Sequence, residues 1–215
     1  MAKPDKVTWV YDVISPFAYL SFPRISRLSL DIPVEPKPVL FAALLDHFGQ
    51  LGPAEIAPKR RFTYRFALWR ARQLGLPMRF PPAHPFNPLA ALRLIIAAGN
   101  DLRAAGTVLD AVFRDGRDVS APQVIADLAR ELGVPDPQAA LSDPAVKAQL
   151  RENTEWASAR GIFGVPTLVV GAEMFWGQDG LDMGLDYLAH PEAFADPMMR
   201  GADTLPVGVA RKRAS

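Results

Sequence analysis

Val7-Thr8-Trp9-Val10-Tyr11-Asp12-Val13-Ile14-Ser15-Pro16-Phe17-Ala18 is the stretch that decides the fold. Residues 7 to 13 alternate, with Val7, Trp9, Tyr11 and Val13 on one face and Thr8, Val10 and Asp12 on the other, the period of two that marks a strand. Ser15 is a preferred helix N-cap. Pro16 suits the first helical position, where its fixed φ fits and its missing N–H would have had no partner. The spacing predicts a helix from Pro16 to about Leu30, burying Phe17, Leu20, Phe22, Ile25 and Leu28, and closed by Asp31-Ile32-Pro33. A strand therefore delivers a serine to the opening turn of a helix.

Outward from this unit, Val34 to Leu40 is a second strand. Pro36 and Pro38 cannot donate to a ladder and assign it to an edge or to an irregular strand. From about Phe41 to Arg160 nearly everything reads as helix. Pro58 to Leu74 is aromatic and basic, and Asn87-Pro88 opens a helix through Ala98. Another helix covers Asp101 to about Asp115. Ser120-Ala121-Pro122-Gln123 has the capping-box pattern and introduces a helix to Leu132. Asp143-Pro144 starts one that Gly161 stops. Thr167–Val170, Gly171-Ala172 and Glu173–Trp176 then form a hairpin, and Leu181 to Ala189 is a last helix. The expected fold is α/β, with residues 1–40 and 161–215 making the sheet domain and residues 41–160 a helical insertion.

At 215 residues, with 49% hydrophobic and 22% charged content, the chain suits a soluble globular protein. A net charge of +1 gives no support to nucleic-acid binding. The basic cluster Arg211-Lys212-Arg213 reads as a solvated tail. No signal-peptide layout is present, and Leu89–Ala98 is too short and too charged at Arg93 to span a bilayer, so the cytoplasm is the default. His47, His84 and His190 have no metal-ligand spacing, and no metal is expected. His84 stands in the proline-rich stretch Pro81-Pro82-Ala83-His84-Pro85, read as a loop near the pocket. Phe62, Tyr64, Phe66 and Trp69 read as helix core or dimer packing. With zero cysteines no internal dithiol can cycle.

Ser15-Pro16-Phe17-Ala18-Tyr19 after the first strand, Gly164-Val165-Pro166-Thr167 before the third and Phe175-Trp176-Gly177-Gln178-Asp179 after the fourth resemble the 2-hydroxychromene-2-carboxylate isomerases, relatives of kappa-class glutathione transferases. The resemblance covers residues 7 to 190. It implies a thioredoxin-like βαβ…ββα domain interrupted by helices, and a homodimeric, glutathione-dependent enzyme acting on a small aromatic or enone acid. Thioredoxin-like oxidoreductases carry Cys-x-x-Cys where this chain has Ser15 to Ala18, so the sulfur would come from glutathione. By resemblance, Ser15 approaches that sulfur, Val165 pairs with the tripeptide beside a cis-Pro166, and Asp179 takes its glutamyl end. Gln50 and Lys59 fall where the family has further glutathione contacts, and Phe17 and Asn87 where it has a substrate pocket. The chain departs from the family pattern at Gln50, in place of asparagine, and at Gly180, in place of serine or arginine.

The chemistry is consistent with these residue types. A thiol of the cysteine kind, with a pKa near ~8.5, is mostly protonated at neutral pH, and the thiolate is the nucleophile. A helix N-terminus and a serine hydroxyl both favour the anion. Each residue also has a plainer role. Ser15 can be an N-cap, Val165-Pro166 a trans bond starting a strand, Asp179 a favourable first-turn charge, Lys59 a solvated helix end and Asn87 a cap. The functions weighed are a glutathione-dependent cis–trans isomerase, a kappa-like transferase or peroxidase, and a non-catalytic glutathione-binding protein.

Overall fold

β1 (Val7–Tyr11) is buried along its whole length, and the rest of the molecule is arranged to cover it. A computed structural model describes residues 4–209; the basic triplet at 211–213 lies outside them. β1 pairs in parallel with β2 (Val34–Pro38) and antiparallel with β3 (Thr167–Val170), which pairs antiparallel with β4 (Glu173–Trp176). The sheet order is β2-β1-β3-β4. This is the thioredoxin-like α/β arrangement.

The prolines of β2 sit at the edge, as expected. Val39 donates its N–H to the Tyr11 carbonyl, so the ladder's alternation turns residues 35 and 37 toward β1 and residues 36 and 38 away. A missing N–H facing away costs no ladder bond. The outward carbonyls are capped instead. Asn100 Nδ2 donates to Pro36 O at 3.2 Å and Asn153 Nδ2 to Pro38 O at 3.1 Å. Two side chains from the helical region thus close an edge that would otherwise invite another strand.

Between β2 and β3 run α2 (Phe41–Phe48), α3 (Ala57–Gln73), α4 (Leu89–Ala97), α5 (Leu102–Leu109), α6 (Pro122–Leu132), α7 (Pro137–Ser142) and α8 (Pro144–Ala159). α1 (Pro16–Leu28) follows β1, while α9 (Gly177–Ala189) and α10 (Pro197–Ala202) follow β4. One face of β1, through Val7, Trp9, Tyr11 and beyond it Val13, joins a core with Leu20, Ile25, Leu92, Leu109 and Leu128. Val10, on the other face, packs with Val39, Leu44, Ala157, Ile162 and Val169. The face read as the more polar one is therefore buried too, because helices cover both sides of the sheet.

Local differences have local reasons. Ser120 is not a capping-box residue: its N–H donates to Asp118 Oδ1, and Ala121 takes the cap position without a side-chain bond. α5 runs on into a π-helical turn, Asp110–Arg114. α9 starts four residues earlier than the apolar pattern suggested, directly from β4, and α7 and α10 have too few apolar positions to show a period. Asn153 is 3% exposed. Asn153→Ala should cost about 1–3 kcal/mol, the penalty for a buried carbonyl left unpaired, read from the urea midpoint of unfolding.

Candidate functional site

The turn between β1 and α1 is fixed by its own backbone and by one carboxylate. Ser15 N–H donates to the Asp12 carbonyl at 3.0 Å. Asp12 Oδ1 accepts from Ile14 N at 3.0 Å, and Asp12 Oδ2 from Phe41 N, the first residue of α2, at 2.9 Å. Asp12 is fully buried, and removal from water pushes its carboxyl up to about 7 against these backbone donors, which favour the anion.

Ser15 is the N-cap of α1 and 7% exposed. Its Oγ accepts from Ala18 N at 3.3 Å and donates to Val165 O at 3.4 Å. Both bonds are long, the O–H···O against a centre of about 2.7–2.8 Å and the N–H···O against about 2.9–3.0 Å, so the group is only loosely committed at a helix N-terminus where anions are favoured. The Val165–Pro166 bond is cis. Pro166 O in turn accepts from Gly177 N at 2.8 Å, which seats the start of α9 beside it. Ser15, Val165, Pro166 and the first turn of α9 are thereby joined in one chain of hydrogen bonds.

The remaining expected residues lie differently. Asp179 is exposed in the first turn of α9. A Cβ at Gly180 would stand 3.2 Å from the Phe175 carbonyl carbon, a tight contact, so α9 packs closely on β4 at this position. Gln50 is exposed just past α2, and Lys59 is exposed in the first turn of α3. Asn87 is exposed, and its Oδ1 accepts from Leu89 N at 3.0 Å, so it supports the start of α4 one residue outside Pro88, which holds the cap position. Gln50, Lys59 and Asn87 make no hydrogen bond or ring contact to Ser15 among the described residues.

Phe17 is half-buried, with its ring 6.0 Å from that of Phe66. Phe66 stacks between Phe62 and Trp69 on α3, and Phe62, Phe66 and Trp69 are all exposed. They are not core in this chain but an aromatic surface leading away from the Ser15 turn. α3 also carries Lys59, Arg60, Arg61, Arg65, Arg70 and Arg72 with no acidic residue. Arg70 Nε donates to the buried Gln178 Oε1 at 3.0 Å, tying α3 to the start of α9.

Sequence reasoning missed Asp12 and Arg70. An aspartate at a strand end three residues before a serine N-cap was a usable turn signal. The Arg70–Gln178 pairing spans 108 residues and had no local one.

A model described as the DSBA-like thioredoxin domain matches residues 6–189. The chain belongs to this family. Within it, the chain is 31% identical over 187 residues to a 2-hydroxychromene-2-carboxylate isomerase of Pseudomonas putida, covering 82% of this chain and 91% of that protein. It is 29% identical over 214 residues to glutathione S-transferase kappa 2 of Caenorhabditis elegans, covering 89% and 94%. A solved structure of a 2-hydroxychromene-2-carboxylate isomerase superposes with a TM-score of 0.73 at 26% identity, covering 89% of this chain and 99% of that one. These relatives are enzymes. Among the described residues no helix is long and apolar enough to cross a membrane.

Asp12 gives a signed expectation. Its folded value of about 7 stands above the ~3.9 of an unfolded chain, so between those pH values the folded state holds a proton that the unfolded state has released. Its contribution to stability therefore falls as pH rises through that window. Urea unfolding at pH 4 and pH 7 should show the wild type losing ground relative to Asp12→Asn on going to pH 7. A pH-independent difference between the two would refute it.

Proposed function

We propose that this protein is a glutathione-dependent cis–trans isomerase of 2-hydroxychromene-2-carboxylate-type acids or their ring-opened enones. The observation that carries the reading is Ser15. In a chain without cysteine, a loosely bonded hydroxyl stands at a helix N-terminus beside a cis-proline. That place suits a sulfur anion supplied from outside. The hydroxyl donates to the thiolate, and the opening turn of α1 adds the Phe17 N–H, which Ser15 does not take up, and the positive end of its dipole. The Val165 backbone is placed to pair with an extended tripeptide, strand to strand. Asp179 would meet the α-amino group, while Gln50 and Lys59 would reach the ligand from α2 and α3. Phe17 and Asn87 would face the acid.

The thiolate adds to the enone carbon conjugated with the carbonyl, and the displaced electron pair moves to the carbonyl oxygen. The former double bond, now single, rotates. Return of the electron pair expels the thiolate and restores the double bond as trans. Glutathione is regenerated, so it acts as a cofactor. The proposal places the reaction in the cytoplasm and in a homodimer, for which the exposed Phe62, Phe66 and Trp69 offer apolar surface; sedimentation should then give twice the mass of one chain.

The likeness to a kappa transferase favours a second reading on the same site, conjugation to electrophiles or peroxide reduction. Glutathione bookkeeping separates the two: the isomerase leaves its concentration unchanged, and the transferase consumes it. Equal rates with and without glutathione would eliminate both. Ser15→Ala should raise the pKa of the bound thiol by about one to two units, since one bond to a charged partner is worth roughly 1.5–3 kcal/mol and a pKa unit ~1.4 kcal/mol. Turnover at pH 7 should fall about tenfold. The pKa is read from thiolate absorbance against pH; an unchanged value would remove Ser15 from the mechanism.

A further inference from the structure

His84 stands in the loop between α3 and α4, yet its ring meets the site turn. Its Nε2 lies 2.7 Å from the carbonyl oxygen of Ile14, and its Nδ1 2.8 Å from the Tyr64 hydroxyl. A carbonyl oxygen only accepts, so the ring must carry its proton on Nε2. The single Tyr64 hydroxyl proton is shared between two acceptors, Nδ1 of the neutral ring at 2.8 Å and the His84 carbonyl at 2.7 Å. The rings of Phe80, Phe86, Phe113 and Tyr64 surround the imidazole, with centroids 5.4, 5.7, 6.1 and 5.1 Å away. Burial in that apolar shell lowers its pKa, against a smaller opposing effect of the Ile14 bond. Both nitrogens are engaged and the ring cannot swing out, so His84 is not a general base.

What it holds is the peptide unit linking Ile14 to Ser15. The N–H end of that unit is bonded to Asp12 O at 3.0 Å and its C=O end to His84 Nε2. With both ends of one planar unit fixed, the direction in which Ser15 leaves it is fixed as well. Asp12 acts from within the turn. His84 is the side chain that reaches it from another part of the chain, 70 residues away.

We propose that His84 is a positioning residue for Ser15, so that the segment between α3 and α4 sets the aim of the hydroxyl at the opening of α1. The kinetic consequence rests on the glutathione reading of Ser15; the geometric one does not. A misplacement of about 1 Å at a reacting group can cost up to about 100-fold in rate, so a lost Ile14 bond should be felt in turnover without removing any group that touches glutathione.

The test has two arms on the full chain. Without glutathione, two-bond 1H–15N spectra of histidine-labelled protein at pH 7.5 should show the His84 ring neutral and protonated on Nε2. A ring protonated on Nδ1 would overturn the proposal. In the same arm, the Ser15 amide should exchange faster with solvent in His84→Phe and be restored in His84→Gln, whose side-chain N–H can replace Nε2–H. In the second arm, His84→Phe should lower kcat about tenfold and raise the pKa of bound glutathione, with KM for glutathione changed less than about twofold. His84→Gln should recover most of kcat. Equal losses in the two variants would overturn the proposal, because a mere space-filling role would not distinguish a donor from an apolar ring. If His84→Phe fails to fold, His84→Leu takes its place and should show the same faster exchange of the Ser15 amide; an unchanged rate would overturn the proposal. If the wild type neither binds nor uses glutathione, the reading of Ser15 falls, and the tautomer and exchange measurements still decide the role of His84.

Discussion

A carboxylate removed from water holds the active end of this molecule together. Asp12 has lost its hydration at the tip of β1, and taking a lone ion out of water costs several kcal/mol. Backbone N–H groups offset part of that cost, each bond to a charged acceptor contributing roughly 1.5–3 kcal/mol, and the carboxyl still holds its proton up to about 7. Those donors belong to the two places that must be brought together, the turn leading to Ser15 and the first residue of α2. The same group therefore shapes the serine turn and sets where the chain leaves the sheet to begin its helices.

Around that turn the bonds differ in strength in a way that bears on function. The backbone is held by contacts of 2.7–3.0 Å from Asp12 and His84, whereas the Ser15 hydroxyl makes only bonds of 3.3 and 3.4 Å. A rigid frame around a loosely engaged donor is what preorganised stabilisation of an anion requires, since little must be rearranged when the anion arrives. The charge distribution agrees with such a ligand: a chain of net charge +1 concentrates cations on α3, one of which, Arg70, is bonded to the start of α9.

The order of elements was legible because each rests on short-range physics. Period-two alternation marked β1, Ser15-Pro16 and Asp143-Pro144 marked helix starts, and Pro36 and Pro38 narrowed β2 to an edge or an irregular strand before any neighbour was known. Of the candidate site, the junction at Ser15 was legible because a strand gives way there to a capped helix, whereas Val165, Pro166 and Asp179 were singled out by resemblance and the apolar pattern began α9 four residues late. Asp12 and Arg70 were not read as part of the site, and His84 only as lying near it. Their partners are remote in sequence or are main-chain atoms, and neither leaves a pattern in the residue types. Of the two readings of the α3 aromatics, helix core and dimer packing, exposure of Phe62, Phe66 and Trp69 removes the first: composition shows that a helix has apolar surface but not whether a neighbour covers it.

By itself the sequence determined that a strand ends in a serine at a helix start, that no thiol of the chain's own can act there, and that two proline-bearing segments flank the same sheet. Those are properties of neighbouring residues and of the side chains present or absent. Only the tertiary structure decided that Asp12 is dry, that Gly180 sits tightly against β4, and that an imidazole 70 residues away grips the peptide before the serine. Burial and hydrogen-bond direction depend on how distant segments pack, and that is settled only when the helices close over both faces of β1.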